Sequence, residues 1–302
     1  MPIASMIRSG AEMLREAGVP AAQHDAKLLL AHVLGCELRD VDKAIVLGSD
    51  LSDMAVGCSA AELVDRYRAL LVRRTRREPL QHIVGHAPFR YLDLRVGPGV
   101  FIPRPETEDV VQAGMDWLAR RHLERPLIAD LCAGSGAIGL SMVTELSDAR
   151  VWAVERSRDA YRWADRNRRA VSRQCPRVLR DYHLVLGDAT DPRTLRDADG
   201  MMDMVITNPP YIPLSEIPQQ PEVRDYDPSA ALYGGSDDGL LIPERILVRA
   251  RGLLRAGGVL IMEHDISQRE ALVEYARRQG FGGVRDCADL SGRPRFMIAI
   301  RG

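Results

Sequence analysis

The chain has 302 residues, with 41 basic and 42 acidic side chains and a formal net charge of −1. That length is enough for about one to three domains with a sizeable core. The charge balance excludes a global basic field for gripping long nucleic acid, leaving only a local patch. Five scattered cysteines (Cys36, Cys58, Cys132, Cys175, Cys287) form no C-x-x-C pair, which suits a reducing cytosol and argues against a disulfide framework or a zinc site. His82 and His86 are spaced H-x-x-x-H, but no third ligand lies near them and Gly85 interrupts a helix, so no metal is expected. With no basic-then-apolar leader pattern and no apolar run of membrane-spanning length, the expectation is a soluble cytoplasmic protein.

The first eighty or so residues have helical apolar spacing. Segments from Met6 to Ala17 and from Ala22 to Leu34 stop at Gly18 and Gly35, and a third, Leu38 to Leu47, stops at Gly48. A fourth opens with the capping box Ser59-x-x-Glu62 and runs to about Arg77, before Pro79. The basic run Arg73 to Arg77 reads first as a solvated cationic face that complements the helix dipole, and second as a contact for an acidic or RNA-bearing partner. From Leu80 to Val100, Ile83, Phe89, Tyr91, Leu94 and Val96 alternate with glycines, prolines and polar residues, which predicts a short hairpin between domains. After Phe101-Ile102-Pro103-Arg104-Pro105-Glu106-Thr107-Glu108, a helix is expected from about Asp109 to Arg121.

The remainder alternates strand and helix. Strands are expected at Leu127–Leu131, Arg150–Val154, His183–Leu186, Met202–Thr207 and Val259–Glu263, with two more near Gly283–Cys287 and Phe296–Ile300. Helices are expected at Ala137–Glu145, Asp159–Ser172, Leu240–Leu254 and Ser267–Gln279, the last with a Ser267-x-x-Glu270 capping box. This pattern predicts an α/β fold with a mostly parallel sheet covered on both faces. The expected division is a helical unit at 1–78, a hairpin linker at 79–100 and an α/β domain at 101–302.

Two stretches carry chemistry. Asp130-Leu131-Cys132-Ala133-Gly134-Ser135-Gly136 follows the first strand of the α/β region and opens a helix. Gly134 and Gly136 permit a tight turn and close approach of backbone N–H groups to a ligand, and Gly139 completes G-x-G-x-x-G. Glu155 ends the next strand, where an acid holds the ribose hydroxyls of an adenosyl ligand. Asp130 is poorly placed for a pyrophosphate but suits a cationic or sulfonium-bearing ligand. Asp188, after Leu186-Gly187, can accept from an adenine amino group, although an Asp there is often a turn cap. Together these acids favour S-adenosylmethionine over a nicotinamide dinucleotide.

The second stretch is Asn208-Pro209-Pro210-Tyr211, directly after the apolar run Met202 to Thr207. It places a carboxamide and a rigid turn at the carboxyl edge of a sheet, where open α/β folds put their chemistry. The prolines donate no hydrogen bond, so the turn offers carbonyl oxygens to a substrate bearing N–H groups, and Tyr211 can cover its flat face. The turn alone does not choose between an amide and an exocyclic amine.

These motifs give the chain its resemblance to the HemK/PrmC family, the release-factor glutamine N5-methyltransferases, over nearly its whole length. The matching stretches are His24 to Gly35, Gln81 to Phe89, Phe101 to Glu108, Asp130 to Gly136, Asn208 to Tyr211 and Glu222 to Gly239. The resemblance implies a Rossmann-like, seven-stranded S-adenosylmethionine-dependent methyltransferase domain behind a small helical bundle that helps bind the protein substrate. It also implies transfer of a methyl to the glutamine of the Gly-Gly-Gln tip of class 1 release factors, with S-adenosylhomocysteine as product. Residue by residue, it places Asp130 and Cys132, Ala133, Gly134, Ser135 and Gly136 around the cofactor, Glu155 on its ribose, and Asp188 and Ala189 beside its adenine. Asn208, Pro209, Pro210 and Tyr211 would hold the glutamine amide, with Asn208 also bordering the cofactor and Phe101 and Arg104 on the substrate side. Cys132 stands where a glycine is common, and Ala189 where an aromatic is common. The competing readings are a nucleic-acid adenine or guanine amino methyltransferase, which would usually need a base-reading domain and a basic cleft, and a non-enzymatic nucleotide-binding regulator.

Overall fold

The computed structural model describes residues 1–55 and 57–302. They form two compact units, one of Met1–Gly85 with Gln219–Tyr226, the other of His86–Pro218 with Asp227–Gly302.

The first unit is helical: α1 (Ile3–Glu16), α2 (Ala22–Leu34), α3 (Leu38–Leu47), α4 (Leu51–Met54), α5 (Ala60–Thr75) and α6 (Leu80–Val84), with the six-residue helix Pro221–Tyr226. Ile3, Met6, Ile7, Ala11 and Leu14 recur at helical spacing on the buried face of α1, and pack with Leu29 and Leu30 of α2 and Leu63, Tyr67 and Leu71 of α5. Gly10 is required where α1 meets α5, because a Cβ there would overlap the Tyr67 hydroxyl. That hydroxyl donates across the core to the Ala26 carbonyl at 3.1 Å. Helices α2 and α3 end at Gly35 and Gly48, both left-handed, and α5 begins with the Ser59–Glu62 capping box.

Two local expectations change. Leu80–Val84 is a helix whose Ile83 enters the first unit's core, so the hairpin starts only at His86. The basic run is not a solvated face throughout, because Arg74 is buried. Its Nε donates to Asp25 at 2.8 Å, and its Nη1 donates to Glu222 at 2.8 Å and to the Glu78 carbonyl at 3.1 Å. Arg77 reaches both oxygens of Glu222 at 2.8 Å, and Arg73 pairs with Glu78.

The second unit opens with a hairpin, β1 (His86–Phe89) and β2 (Leu92–Arg95), whose Phe89 and Leu94 lie in the core of this unit. A seven-stranded sheet follows: β3 (Leu127–Leu131), β4 (Arg150–Glu155), β5 (Tyr182–Leu186), β6 (Met202–Thr207), β7 (Leu254–Glu263), β8 (Phe281–Ala288) and β9 (Pro294–Arg301). Its spatial order is β5-β4-β3-β6-β7-β9-β8. The first five strands run parallel, and β9 is antiparallel to both neighbours. The helices are α7 (Glu106–Arg120), α8 (Ala137–Glu145), α9 (Arg158–Val171), α10 (Val178–Asp181), α12 (Ser229–Leu232), α13 (Leu241–Leu253) and α14 (Arg269–Arg278), α11 being the Pro221–Tyr226 helix.

Alternation along the strands divides the core between the two faces. Met204 and Ile206 pack with Val110, Val111 and Leu118 of α7, whereas Val205 packs with Ile246, Leu247 and Leu253 of α13. The mostly apolar strands and their helix cover are those of a Rossmann-like α/β fold. The order of successive strands reverses between β3 and β6, which run parallel, and this is the topological switch point where ligands bind in such sheets. At the last helix, the capping box is formed by Asp265 and Gln268 ahead of a short 3-10 turn, rather than by Ser267 and Glu270.

Removing Arg74 would leave Asp25 buried without its cation. Arg74→Ala is expected to lower the stability of the first unit by about 3 kcal/mol, visible as faster amide hydrogen exchange across residues 1–85. Exchange unchanged from wild type would show that the ion pair does not hold this unit together.

Candidate active site

The carboxyl ends of β5, β4, β3 and β6 bring the sequence-predicted site residues other than Phe101 and Arg104 to one edge of the sheet. Register places Asp130 opposite Ala153 and Ile206, and Leu131 opposite Val154 and Thr207, so the loop after β3 lies between Glu155 and Asn208. In that loop every second residue is left-handed: Cys132 at φ 64°, Gly134 at 58° and Gly136 at 87°. Such alternation gathers backbone N–H groups around a concavity. Cys132 adopts this geometry without glycine's freedom, which explains physically why glycine suits the position. A Cβ on Gly134 would meet nothing within 4 Å, leaving open space beside the loop. Gly139 has a different duty, since a Cβ there would crowd Tyr182, Asp130 and Val151 where α8 packs on the sheet.

Glu155 braces this loop. One carboxylate oxygen accepts from the Gly134 N–H at 2.8 Å and the other from the Ser157 N–H at 2.6 Å. Burial raises its pKa, and these backbone donors oppose the rise. Each oxygen keeps a second lone pair for a ligand hydroxyl. Asp130 is fully buried. One of its oxygens accepts from the Gly139 N–H at 2.9 Å, and the other has no partner among the described residues. Burial pushes its pKa up to about 8, against the Gly139 N–H, so near neutral pH it is mostly protonated. Its hydrogen bond to Gly139 of α8 supports the loop from beneath. Ala133 and Ser135 are buried, and the Ser135 carbonyl accepts from Asn167 of α9 at 2.9 Å.

Asp188 does cap its own turn. One oxygen takes the Thr190 N–H and hydroxyl at 2.8 and 2.7 Å, while the other faces Arg156 at 3.9 Å. Ala189 is buried in the core behind it. An open loop concavity beside a braced carboxylate fits an adenosyl ligand: polar hydroxyls to Glu155, an amino-bearing chain against the loop.

At the end of β6, Pro209 and Pro210 are buried, whereas Asn208 and Tyr211 are partly accessible. The Asn208 side-chain NH₂ donates to the Thr107 hydroxyl of α7 at 3.1 Å, not toward the glycine loop. Thr107 in turn donates to Glu263 at 2.8 Å, and the Tyr211 hydroxyl donates to the other Glu263 oxygen at 3.1 Å. Glu263, at the end of β7, is 2% exposed, and burial raises its pKa to about 7, opposed by those two hydroxyls. The Tyr211 carbonyl accepts from Gln268 at 2.8 Å, which pins the turn from its far side.

Phe101 and Arg104 form a separate group. The Arg104 guanidinium lies 4.7 Å from the Phe101 ring centroid and donates to Asp227 at 2.6 Å. The Asp227 carboxyl is buried, and desolvation raises its pKa to about 6 although Arg104 opposes this. Thr107, Glu263 and Asp227 were not singled out from sequence. Only Glu263 left a signal, an acid closing an apolar strand as Glu155 does. Among the described residues no group of side chains could hold a metal ion, and no helix is long and apolar enough to cross a membrane.

A sheet of this order, with the glycine loop after its first strand and Asn-Pro-Pro-Tyr after its fourth, defines an S-adenosylmethionine-dependent methyltransferase. The chain matches the family model described as PrmC N-terminal domain over residues 5–41, and that described as conserved hypothetical protein 95 over residues 83–220. It is 54% identical over 300 residues to the release factor glutamine methyltransferase of Bifidobacterium longum, spanning 99% of this chain and 100% of that one. The Streptomyces coelicolor release factor glutamine methyltransferase is 40% identical over 295 residues, 97% of this chain and 96% of its own. The 4-amino-L-phenylalanine/4-methylamino-L-phenylalanine methyltransferase of Streptomyces pristinaespiralis is 34% identical over 283 residues, 92% of this chain and 88% of its own. The chain belongs to the release factor glutamine methyltransferase family.

Because the Asp130 carboxyl is raised to about 8, its stabilising contribution is complete below the ordinary carboxyl pKa and is lost as pH rises through the folded value. Asp130→Asn is therefore expected to raise the thermal midpoint at pH 7 by about 3 °C or more, the gain shrinking toward pH 4. A gain that grows as the pH falls would contradict a neutral Asp130.

Proposed function

We propose that this protein transfers a methyl group from S-adenosylmethionine to the side-chain amide nitrogen of the glutamine in the Gly-Gly-Gln motif of class 1 peptide-chain release factors, in the cytoplasm. The observation that carries this reading is the Asn208 carboxamide. Its NH₂ is engaged by Thr107, so its oxygen is left to accept an N–H from a substrate. The relatives at 54% and 40% identity, both release factor glutamine methyltransferases, support the choice of an amide over other N–H bearers. The balanced charge gives no reason to propose a nucleic acid as substrate.

An amide nitrogen is a poor nucleophile because its lone pair is delocalised into the carbonyl. In the proposed complex Asn208 Oδ1 and the Pro209 carbonyl each accept one amide N–H, which turns the nitrogen lone pair outward and loosens its conjugation. The same two acceptors stabilise positive charge developing on nitrogen, contacts of a kind worth roughly 3 kcal/mol each. Pro210 keeps the turn rigid, and the Tyr211 ring, tethered through its hydroxyl to Glu263, covers one side. Glu155 and the loop Cys132 to Gly136 would hold the S-adenosylmethionine, with Asp188 and Ala189 beside its adenine. That group supplies an electrophilic methyl on a sulfonium whose departure as a neutral thioether needs no acid, and the N-methylated amide, strongly acidic while it still carries both of its protons, releases one of them to water. Positioning by this chain's residues then carries most of the acceleration.

Two variants separate binding from turnover. Glu155→Ala is expected to weaken S-adenosylmethionine binding by about 2 kcal/mol in calorimetry, as for lost charge-assisted hydrogen bonds. Asn208→Ala should still bind it but lose at least about a hundredfold in turnover. Incubation with labelled S-adenosylmethionine and separate release-factor, ribosomal-protein and DNA substrates should label the release factor alone. Labelled DNA, or wild-type turnover by Asn208→Ala, would sink the proposal.

A further inference from the structure

We infer that the buried carboxylate of Glu263, acting through the Thr107 hydroxyl, sets which end of the Asn208 carboxamide faces the substrate. This makes Glu263 and Thr107 positioning residues for the reaction, and as a catalytic device it rests on the function proposed above. A carboxylate only accepts hydrogen bonds, and a threonine hydroxyl has a single proton. With that proton committed to Glu263 at 2.8 Å, the Thr107 oxygen can only accept from its other neighbour. Asn208 therefore turns its NH₂ inward, at 3.1 Å, and its oxygen outward. The second Glu263 oxygen takes the Tyr211 proton at 3.1 Å, so both side chains of the turn hang from one carboxylate. Thr107 and Glu263 are 4% and 2% exposed, which leaves no room for bulk water to supply another donor or acceptor.

Protonating Glu263 would free the network to reverse. The new carboxylic O–H can donate to Thr107, Thr107 can then donate to Asn208, and the carboxamide turns its NH₂ toward a substrate that itself offers N–H groups. The groups facing this carboxylate are Thr107 and Glu106 from α7, Tyr211 from the turn and Arg295 from β9, with Asp265 acting on Tyr211 from the loop after β7. Burial outweighs Arg295 and the hydroxyls, and the carboxyl titrates near pH 7. Protonation rises as pH falls, so the productive direction is lost on the acid side.

The test compares wild type, Glu263→Gln, Thr107→Val and Thr107→Ser. In wild type, kcat is expected to fall about tenfold per pH unit below about pH 7, with the KM for S-adenosylmethionine steady. The Glu263→Gln profile should lack that limb. At high pH, Thr107→Val should lose about 30-fold in kcat, and Thr107→Ser should recover to within about threefold of wild type. Independently of any methyl acceptor, the ¹⁵N resonance of the Asn208 side chain should shift with a midpoint near the same pH in wild type and stay fixed in Glu263→Gln. A side-chain resonance indifferent to pH in wild type, an acid limb that survives in Glu263→Gln, or full turnover by Thr107→Val would overturn the inference. If the resonance titrates as expected but wild type transfers no methyl to a release factor, the control of Asn208 stands and the proposed function fails.

Discussion

Burial of acids at the carboxyl edge of a parallel sheet is the constraint on which this site depends. Asp130, Glu155 and Glu263 belong to β3, β4 and β7, and each is at least nine-tenths buried. A carboxylate removed from water must be met by donors or become neutral. The three meet that requirement differently. Glu155 collects two backbone N–H groups, Glu263 collects two hydroxyls, and Asp130, with one N–H, is mostly protonated near neutral pH. The donors they draw in come from the glycine loop, α7, α8, the start of α9 and the Asn-Pro-Pro-Tyr turn, so satisfying the acids also shapes this edge of the sheet.

The same constraint explains the division of labour among strand ends. The side with β3 and β4 is built from backbone N–H groups, positive φ and open space, which suits a polar, adenosyl-bearing group. The side with β6 and β7 is built from carbonyl and carboxamide oxygens held by hydroxyls, with prolines removing competing donors. A substrate carrying N–H groups complements the second side as a hydroxyl-bearing ligand complements the first. Neither side presents an exposed strong base at the turn, in keeping with a reaction in which orientation rather than deprotonation limits the rate.

Much of this was legible in the sequence because the signals are local. The strands Leu127–Leu131 and Met202–Thr207 stand where their apolar runs predict, and the helices end at the glycines that stop them. The glycine loop and the Asn-Pro-Pro-Tyr turn are likewise contiguous motifs. What the sequence concealed depends on distant partners. Thr107 and Glu263 are 156 residues apart and acquire meaning only when α7 packs beside β7. Arg74 looks like one of four surface cations in the run Arg73 to Arg77 until Asp25 and Glu222 close on it. Leu80–Val84 alternates well enough for a strand, but Ile83 is claimed by the helical core, and tertiary packing overrides the local pattern. Asp130 reads from sequence as an acid beside the loop, and its depth beneath α8, where burial raises its pKa, shows only in the fold.

The chemistry proposed for this site has a glutamine side-chain amide as the methyl acceptor, held by the oxygens of the Asn208–Pro209 turn. Fragmentation mass spectrometry of a purified class 1 release factor, after incubation with this protein and S-adenosylmethionine, tests that claim most directly. The expected result is a single added methyl on the side-chain nitrogen of the glutamine in the Gly-Gly-Gln peptide, and none when that glutamine is replaced by alanine. A methyl on any other residue, or an unmodified Gly-Gly-Gln peptide beside an active enzyme, would contradict it.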